Sequence, residues 1–558
     1  MGMLRFFSPL HRQLEPELQS IEVWAATAIP SFRVVGLPGP EIIESCERVR
    51  ASIEASGLEF PRKRILVNLS PAGVRKQGTG TDLAIALAVM SLQRSENKSA
   101  HPLRRIVASG ELALDGNVRS AGRVLRTLVA SMTLKADDLV LAEEDRVLIQ
   151  QALHLIQETP RFSDRSPPRI HLVKTLSDAF DSLRSKQSAM PPLQAEFPVY
   201  NPPERELLTL SSELERSLLA SAAGAHHLLL IGPKGTGKTA ALEWLHLLQA
   251  QLSSEDLLDR IMLDELSRAA DTSFHRTAPV RIVPPQIRPE ALIGGFSRGE
   301  LRPGEFSRAH GGTLIADEFP EWPRDSRETL RDPMETGIVH VMRSQQSFRL
   351  PSRFQFAASA NLCRCGGWPR SWTKLRDPTG QSHASLCKCS DQSRIEYLAR
   401  LSGPILDRID IVKPVFGTGI RPDHNSRSQR PEEVCAITNR CRSLLIQQWN
   451  KVPGRLPPAE LEAIVRAEPA IEENWRRWGR APEGSLRRRH KEIRVALTLA
   501  ALDQILGNES GPIPSRRHFE EARAASAEAW LHSLCQTPIR YGRPMSKKTS
   551  IDRTCENP

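Results

Sequence analysis

The sequence predicts an α/β protein of several domains, organised around one phosphate-binding loop. Three observations lead to this prediction. The chain has 558 residues, which is too many for one hydrophobic core, so about three domains are expected. Short β-like apolar runs alternate with helical segments over most of its length. A glycine-rich stretch, GPKGTGKT at residues 232–239, stands between an apolar run and a helical segment, where α/β folds hold phosphate groups.

The N-terminal region, residues 1–185, contains strands and helices of its own. RILVNLSPA from Arg64 and DLVLA from Asp138 predict strands, and TDLAIALAVMSL from Thr81 predicts a buried helix. The next stretch, residues 186–203, is rich in proline and polar residues, which predicts a linker.

The phosphate loop matches the pattern G-x-x-x-x-G-K-[ST] in full. Its glycines let backbone N–H groups turn toward phosphate oxygens, and the following helix adds a favourable dipole. Lys238 is expected to reach the β- and γ-phosphates, and the Thr239 hydroxyl to bind Mg²⁺. The predicted nucleotide-binding residues are Gly232, Pro233, Lys234, Gly235, Thr236, Gly237, Lys238 and Thr239.

Two later segments complete the pattern of an ATP-hydrolysing site. GGTLIADEF from Gly311 predicts a strand that ends in Asp317 and Glu318. The first carboxylate is suited to hold Mg²⁺ and the second to polarise the attacking water. RFQFAASAN predicts another strand with Asn361 at its end, where an amide can position that water.

The remaining chain is helical and then polar. The apolar pattern of LRRRHKEIRVALTLAALDQIL from Leu486 predicts a helix within a helical region at residues 426–540, and residues 541–558 form a polar tail. No window offers 18 consecutive apolar residues, so no membrane helix is predicted. The N-terminus acquires charges too early for a secretory signal, which predicts a cytoplasmic protein.

These segments together resemble a known family. The order of motifs is similar to the AAA+ ATPases, in their magnesium chelatase-like branch, and specifically to the bacterial ComM/YifB group. The resemblance rests on several matching stretches: VVGLPGPEIIESCERVRASIEASGLEFPRKRILVNLSPAGVRKQGTGTDLAIALAV, ALIGGFSRGELRPGEFSRAHGGTLIADEFPEW, LRDPMETGIVHVMR, RFQFAASANLCRCGG and RLSGPILDRIDI. It implies a P-loop AAA+ core at residues 204–425 with a C-terminal helical lid at 426–540. A Lon-protease-like α+β domain, similar to the ribosomal S5 fold, would precede them at 1–185.

The resemblance also implies two catalytic arginines and a ring. The resemblance implies the roles already given for Lys238, Asp317, Glu318 and Asn361. Thr239 is again expected to bind Mg²⁺. Arg408, in the stretch ILDRID, resembles the arginine finger that reaches a neighbouring subunit's γ-phosphate, and Arg487 resembles the sensor arginine of the lid. An active site shared between subunits implies a homo-oligomer, a hexameric ring.

The N-terminal domain lacks the residues of a Ser-Lys protease. The resemblance places Gly80 where the nucleophilic serine is needed and Leu125 where the lysine base is needed. A non-proteolytic domain is therefore expected, used for ring assembly or DNA contact.

Two cysteine pairs lie close behind Asn361, at Cys363 and Cys365 and at Cys387 and Cys389. Four thiolates in two pairs are able to enclose a structural Zn²⁺, although C-x-C is tighter than the usual C-x₂-C. Free thiols and disulfides are the alternatives, and the nine cysteines of the chain do not have the spacing of a secreted disulfide framework. A zinc site here would hold the insertion at residues 363–389 in place.

Basic residues point toward a nucleic acid partner. The formal net charge is +11. METGIVHVMRSQQSFRLPSRF predicts a hairpin with Arg343 near its tip, and a glycine-rich segment before it carries Arg298, Arg302 and Arg308. Residues 476–494 hold eight Arg or Lys against two Glu.

We therefore expect an ATP- and Mg²⁺-dependent hexameric motor on single-stranded or branched DNA, a helicase or branch-migration ATPase of recombination or natural transformation. The alternative is a chelatase-like ATPase that remodels protein partners. Chelatase subunits usually lack a Lon-like domain, so the N-terminal region favours the first hypothesis.

Overall fold

The structure is a computed structural model of the 558-residue chain. It describes residues 5–10, 13–71, 80–92, 104–184, 210–248, 251–267, 274–297, 300–343, 346–367, 387–415, 431–478, 486–508 and 511–526. The expected linker at 186–203 and the expected tail at 541–558 lie outside the described residues.

The N-terminal region folds around a mixed sheet of seven described strands, in the order β3-β4-β2-β1-β5-β8-β9. Its strands β1, β5, β8 and β9 run parallel, whereas β2 pairs antiparallel with β1 and β4. The strands are β1 (Arg5–Leu10), β2 (Glu17–Ala26), β3 (Ser31–Val35), β4 (Arg64–Ser70), β5 (Arg105–Ala108), β6 (Glu111–Leu112), β7 (Val118–Arg119), β8 (Asp138–Ala142) and β9 (Arg169–Val173). The short strands β6 and β7 form a separate ribbon.

Helices cover this sheet because their apolar residues need partners. They are α1 (Pro40–Ala55), α2 (Asp82–Ser91), α3 (Val124–Leu134), α4 (Arg146–Glu158) and α5 (Leu176–Ser182). In α2 every residue from Asp82 to Met90 is buried, which explains its unbroken apolar sequence. The strands predicted at Arg64 and Asp138 and the helix predicted at Thr81 are confirmed as β4, β8 and α2.

A second sheet carries the phosphate loop. Its five described strands are all parallel and lie in the order β11-β14-β17-β10-β18. They are β10 (Leu228–Ile231), β11 (Val280–Val283), β14 (Thr313–Ala316), β17 (Gln355–Ala360) and β18 (Ile411–Pro414). The strand of this sheet that comes first in the chain, β10, lies between β17 and β18, the last two. After β10 the chain crosses to the opposite edge of the sheet, where it forms β11. In open α/β sheets such a reversal opens a crevice at the carboxyl ends of the strands, where ligands bind.

Helices and two hairpins surround the second sheet. The helices are α6 (Ser212–Gly224), α7 (Lys238–Leu247), α8 (Ser254–Leu266), α9 (Pro289–Ile293), α10 (Glu305–Arg308), α11 (Arg324–Glu328), α12 (Arg331–Thr336), α13 (Asp391–Leu398) and α14 (Gly403–Leu406). The hairpins pair β12 (Gly294–Ser297) with β13 (Glu300–Pro303), and β15 (Ile338–Arg343) with β16 (Gln346–Pro351).

The described C-terminal residues are helical, as expected from the sequence. The helices are α15 (Pro431–Trp449), α16 (Pro458–Ala467), α17 (Pro469–Trp478), α18 (Leu486–Ile505) and α19 (Arg516–Ala524). Apolar residues of α15, α18 and α19 share a core with α6, α7 and β10. None of the helices in the described ranges combines the length and the apolar character that crossing a membrane requires.

The two sheets are joined through α8, a helix of the second half that packs on α3 and α4 of the first. Leu258 and Met262 of α8 lie in the same core as Leu128 and Leu153 of the N-terminal helices. The Glu265 carboxylate of α8 accepts the backbone N–H groups of Leu125 at 3.0 Å and of Arg126 at 2.9 Å, at the start of α3. These two N–H groups belong to the first turn of α3 and have no partner within that helix, so the contact binds the two halves together.

Candidate functional site

The phosphate loop, residues 232–239, joins β10 to α7 at the carboxyl edge of the five-stranded sheet. Gly235 and Gly237 have φ angles of 80° and 81°, which glycine adopts without steric cost. Gly232 packs so closely that a Cβ there would lie 2.1 Å from the carbonyl oxygen of Val415, just after β18. The backbone therefore requires glycine at these positions, and it takes the turned-in form that exposes N–H groups to an anion.

Lys238 is folded into this loop. Its Nζ donates hydrogen bonds to the carbonyl oxygens of Gly232 at 3.0 Å and Pro233 at 2.7 Å. It also donates to Oδ1 of Asn361 at 3.1 Å, from the end of β17. Burial lowers the pKa of Lys238, whereas the two carboxylates after β14 raise it. The lysine therefore links the loop to the strand that carries Asn361.

The carboxylate of Asp317 is held between the loop helix and β17. Its Oδ2 accepts a hydrogen bond from the Thr239 hydroxyl at 3.0 Å. Its Oδ1 accepts one from the hydroxyl of Ser359, a residue of β17. The structure thus brings together the two side chains that the sequence assigns to Mg²⁺, and it orients the carboxylate from a second side.

Glu318 follows in a left-handed backbone conformation, with a φ of 50°. This conformation is costly for a residue with a side chain, and it persists where surrounding contacts enforce it. Here the Glu318 N–H donates to the Ser359 hydroxyl oxygen at 2.9 Å. The side chain is exposed at the carboxyl edge of the sheet, beside the loop.

Arg408 and Arg487 lie away from this edge. In the parallel pair β10–β18, Leu228 is opposite Ile411, so Arg408 stands at the amino edge of the sheet. The loop begins after Ile231 at the carboxyl edge, and a four-residue strand spans about 13 Å. The six residues predicted to be catalytic are therefore divided into two groups on opposite edges.

Glu335, at the end of α12, holds the two arginines together. It accepts a hydrogen bond from Arg408, and one from Nη2 of Arg487 at 3.3 Å. Arg408 also donates to the carbonyl oxygen of Pro404 at 2.8 Å. Both line a cleft of about 930 Å³ between the sheet and the C-terminal helices. The other lysines and arginines that line this cleft are Arg353, Arg442, Lys451, Arg455, Lys491 and Arg494.

The four paired cysteines form one compact cluster in the structure. Cys363 Sγ lies 3.3 Å from that of Cys365 and 3.4 Å from that of Cys387, and the last two are 3.5 Å apart. With Cys389 included, all four sulfur atoms lie within 4.8 Å of one another. None of these four described cysteines forms a disulfide, which argues against the disulfide alternative, and the cluster is compatible with a structural zinc ion.

The predicted hairpin at 338–351 is confirmed, and Arg343 ends its first strand opposite Gln346. Its guanidinium lies 4.8 Å from the ring centroid of Phe296, which belongs to the β12–β13 hairpin. Phe296 and Phe348 also meet edge to face at 5.1 Å. The two hairpins therefore form one unit, held by aromatic and cation–π contacts.

The other predicted arginines of this segment have structural partners. Arg302 donates to the carbonyl oxygen of Ser267 at 2.7 Å, and Arg308 contacts Glu305 at 3.4 Å. Arg298 lies outside the described residues.

The basic stretch at 476–494 differs from the expectation of a DNA-facing surface. Arg489 pairs with Glu472 at 2.5 Å and with Glu462, and Arg488 pairs with Glu492 at 3.1 Å. Residues 479–485 lie outside the described ranges. Helices α16 and α17 supply carboxylates to α18, so much of this charge is neutralised within the protein.

The structure describes Gly80 and Leu125, the two positions where the resemblance expects a protease nucleophile and base. A Cβ on Gly80 would lie 2.9 Å from Cβ of Ala121, so a larger side chain has little room. Leu125 is fully buried in the first turn of α3. Ser120, a nearby hydroxyl, donates to Asp145 and accepts the N–H of Gly122 in a turn.

Sequence reasoning missed two side chains of these sites, Ser359 and Glu335. Ser359 is a polar residue in the otherwise apolar strand FAASA, and that interruption is a signal that could have drawn attention to it. Glu335 is one of many exposed acidic residues, and its neighbours in sequence give no signal.

Fold and loop together define a class: an α/β P-loop protein with an ATPase-like core. Family models agree with this class. Residues 209–418 match the model described as magnesium chelatase, subunit ChlI, and residues 21–145 match the model described as subunit ChlI of Mg-chelatase.

Similar proteins extend over nearly the whole chain. The chain is 30% identical to the Escherichia coli protein YifB, over 90% of this chain and 93% of that protein. It is 28% identical to the competence protein ComM of Haemophilus influenzae, over 90% and 94% of the two chains. A Mycobacterium tuberculosis protein is 32% identical over 80% and 84%. The chain belongs to the ComM/YifB family of magnesium chelatase-like proteins, which are AAA+ ATPases.

Proposed function

We propose that this protein is an ATP-hydrolysing ring that moves along DNA, acting in recombination or in the uptake of foreign DNA. The observation that carries the proposal is the division of the site between two edges of one sheet. The phosphate loop and carboxylates occupy the carboxyl edge, and Arg408 and Arg487 occupy the amino edge. One chain cannot place both groups on one nucleotide, but two neighbours in a ring can.

The loop residues fit a nucleoside triphosphate. Gly235 and Gly237 allow the N–H groups to converge, and Lys238 is buried in the loop with its ammonium group on loop carbonyl oxygens. Those carbonyl contacts are weak enough to be exchanged for a phosphate, which binds an ammonium more strongly. We assign triphosphate binding to residues 232–239.

Thr239 and Asp317 are the residues that would hold Mg²⁺, since their oxygens already meet at 3.0 Å. The donor set is a hydroxyl and a carboxylate, which suits a hard cation. A bound Mg²⁺ supplies positive charge to the phosphate oxygens. Ser359 keeps the Asp317 carboxylate directed toward this position.

Glu318 is placed to accept a proton from the attacking water. Its exposed carboxylate extends from a constrained backbone beside the loop. Asn361 accepts a hydrogen bond from Lys238 of the same loop. The amide of Asn361 would orient the water, and the carboxylate of Glu318 would polarise it.

Arg408 and Arg487 would complete the site of the neighbouring subunit. Both reach the same carboxylate, Glu335, which keeps two positive side chains side by side until they meet an anion. In this proposal the 930 Å³ cleft at the amino edge faces the neighbour's γ-phosphate. Head-to-tail contacts of this kind close into rings, and we propose six subunits.

The DNA partner is proposed from the joined hairpins and from a relative. Arg343 and Phe296 form a rigid pair of a cation and an aromatic ring, a combination that binds phosphates and stacks on bases. The relative named competence protein ComM also favours a DNA partner, since competence is the uptake of DNA. Arg488 and Arg489 of α18, which are paired with glutamates, are not proposed to contact DNA.

The remaining assignments belong to the same proposal. Residues 1–185 would form a Lon-like domain without protease activity, since Gly80 and Leu125 offer neither nucleophile nor base. Residues 204–425 would form the AAA+ core and residues 426–540 its lid. The cysteine cluster would hold a structural Zn²⁺.

The test is ATP turnover with and without DNA. We expect a slow basal rate and a clear increase with single-stranded or branched DNA at low salt. The same measurement on Lys238→Ala protein controls for contaminating ATPases. If no DNA raised the rate or bound to the protein at low salt, a chelatase-like remodelling of protein partners would replace the DNA proposal.

A further inference from the structure

The cysteine cluster is in direct contact with the phosphate loop. The carbonyl oxygen of Gly366 accepts the backbone N–H of Lys234 at 2.7 Å, from the middle of the loop. The N–H of Gly366 in turn donates to the carbonyl oxygen of Cys363 at 3.0 Å. Two hydrogen bonds therefore connect the loop to a residue of the cluster.

The geometry at Gly366 makes this contact sensitive to small movements. Its φ is 72°, and a Cβ there would lie 2.8 Å from Cβ of Lys234. Glycine is required both by the backbone conformation and by the close approach. A movement of this turn away from the loop by about 1 Å would break the hydrogen bond, and a movement toward the loop would press on the Lys234 side chain.

The four sulfur atoms fit one tetrahedral metal ion. With a Zn–S distance of about 2.3 Å, the ligand atoms of a tetrahedron lie about 3.8 Å apart. The distances of 3.3–3.5 Å among the sulfur atoms of Cys363, Cys365 and Cys387 are close to this value, and Cys389 lies with them within 4.8 Å. A cluster of several irons would need the sulfurs further apart, so a single Zn²⁺ fits better.

Polar contacts around the sulfurs support a metal site. The N–H of Gly367 donates to Sγ of Cys365 at 3.4 Å, and Nη2 of Arg394 donates to Sγ of Cys387 at 3.4 Å. Such donors stabilise thiolates, the form that binds metal. Both lie on segments packed directly against the cluster.

The cluster also follows Asn361 directly in the sequence. Asn361 precedes Cys363 by two residues and accepts the hydrogen bond from Lys238. The cysteine cluster is therefore adjacent to the phosphate loop at Lys234. It is also adjacent to Asn361, the residue proposed to orient the water.

We propose that Zn²⁺ at Cys363, Cys365, Cys387 and Cys389 fixes the phosphate loop for nucleotide, so that metal occupancy sets nucleotide affinity. This inference rests on the proposed nucleotide-binding function. Without metal, only thiol contacts join the two cysteine pairs, and the Gly366 turn loses its anchor. With metal, the pairs are joined by coordination, and the Gly366 carbonyl stays on the Lys234 N–H.

The experiment measures zinc content and the affinity for a fluorescent ADP analogue on the same full-length protein. We expect about one Zn²⁺ per chain. Removal of the metal with a chelator should weaken ADP binding about five- to tenfold, the effect of losing one hydrogen bond and some loop order. Adding Zn²⁺ back should restore the affinity, which excludes irreversible unfolding as the cause.

Two variants separate metal binding from its coupling to the loop. Cys389→Ser should lower zinc content and ADP affinity together. Gly366→Ala should keep the metal, because all four cysteines remain, and still weaken ADP binding, because the added Cβ would lie against Lys234. Cys435→Ser, a cysteine of α15, is the matched control and should change neither quantity.

The outcomes are distinguishable. Protein purified without chelators that contains no zinc would overturn the metal site. Zinc that can be removed and restored with no change in ADP affinity would overturn the coupling but leave the ATPase proposal in place. A zinc-loaded protein that fails to bind the ADP analogue at all would overturn the proposed function itself.

Discussion

If Arg408 acts on the site of a neighbouring subunit, two variants that are each inactive should rescue each other. Lys238→Ala destroys a subunit's own phosphate loop but leaves its Arg408 intact. Arg408→Ala does the reverse, and it should lower turnover by on the order of 10³ while ATP still binds. When the two are mixed in one ring, some interfaces pair an intact loop with an intact arginine.

The structure gives the geometric reason and the size of the rescue. Arg408 and the loop are separated by the length of β18, about 13 Å, and Arg408 is bound to Glu335 on the amino edge. The side chain therefore cannot serve its own loop. In an equal, random mixture half of the loops and half of the arginines are intact, so roughly a quarter of the interfaces of a closed ring are complete.

The assay follows ATP turnover at constant total protein while the ratio of the two variants changes. We expect a maximum near equal amounts, at about a quarter of the wild-type rate. The variants must be mixed under conditions that allow subunit exchange. A mixture of Lys238→Ala with Glu318→Gln is the control, since both changes damage the same subunit's loop site and no interface is restored. If the Arg408 mixture stayed as inactive as this control, the reasoning would be refuted.

Three other changes have expected outcomes. Glu318→Gln should bind ATP and assemble but hydrolyse it at a small fraction of the wild-type rate, measured by turnover and by nucleotide retention. Arg343→Ala should keep the basal ATPase and lose DNA stimulation, and the dependence of DNA affinity on salt should weaken by about one phosphate contact per engaged subunit. Glu265→Gln should change the pH dependence of unfolding. Burial raises the pKa of Glu265 to about 7, although Arg126 and the two N–H groups lower it, so the folded protein favours the neutral acid. Protonated Glu265 therefore stabilises the folded protein below the ordinary pKa of glutamate. As the pH rises through about 7, the free energy of unfolding falls by up to about 3 kcal/mol, and Glu265→Gln should abolish this fall.

Each of these has a control and a contrary result. A normal rate for Glu318→Gln would exclude its role toward water. For the hairpin, the control is Arg349→Ala, which removes an exposed arginine of β16 that lies farther from the tip. This change should affect DNA stimulation less than Arg343→Ala does. Equal salt dependence for Arg343→Ala and wild type would show that the hairpin does not grip DNA. Parallel pH curves for Glu265→Gln and wild type would show that Glu265 titrates normally in the fold.

Local patterns in the sequence were enough to predict which side chains follow the strands of the second sheet. The phosphate loop, the carboxylates after β14 and Asn361 after β17 each follow an apolar strand, and parallel strands bring their carboxyl ends to one edge. Periodicity therefore sufficed to place Lys238 and Asp317 near each other.

Contacts between distant segments could not be predicted in this way. Glu335 meets Arg408 across 73 residues, and Glu265 meets Leu125 across 140. Neither acidic residue differs in its local sequence from a solvated one. The charges of α18 illustrate the same limit, because the sequence of a basic stretch does not show the carboxylates that α16 and α17 bring to it.

The measurement that tests the central claim most directly is ATP-driven displacement of a labelled strand from a forked DNA. The account predicts that the wild-type protein releases the strand when ATP and Mg²⁺ are present, and that Lys238→Ala protein releases none. Release should also stop with an ATP analogue that cannot be hydrolysed, since binding alone does not move a ring along its track. If DNA stimulated ATP hydrolysis by the wild-type protein and yet no strand left any forked or branched substrate, the protein would not be a DNA motor.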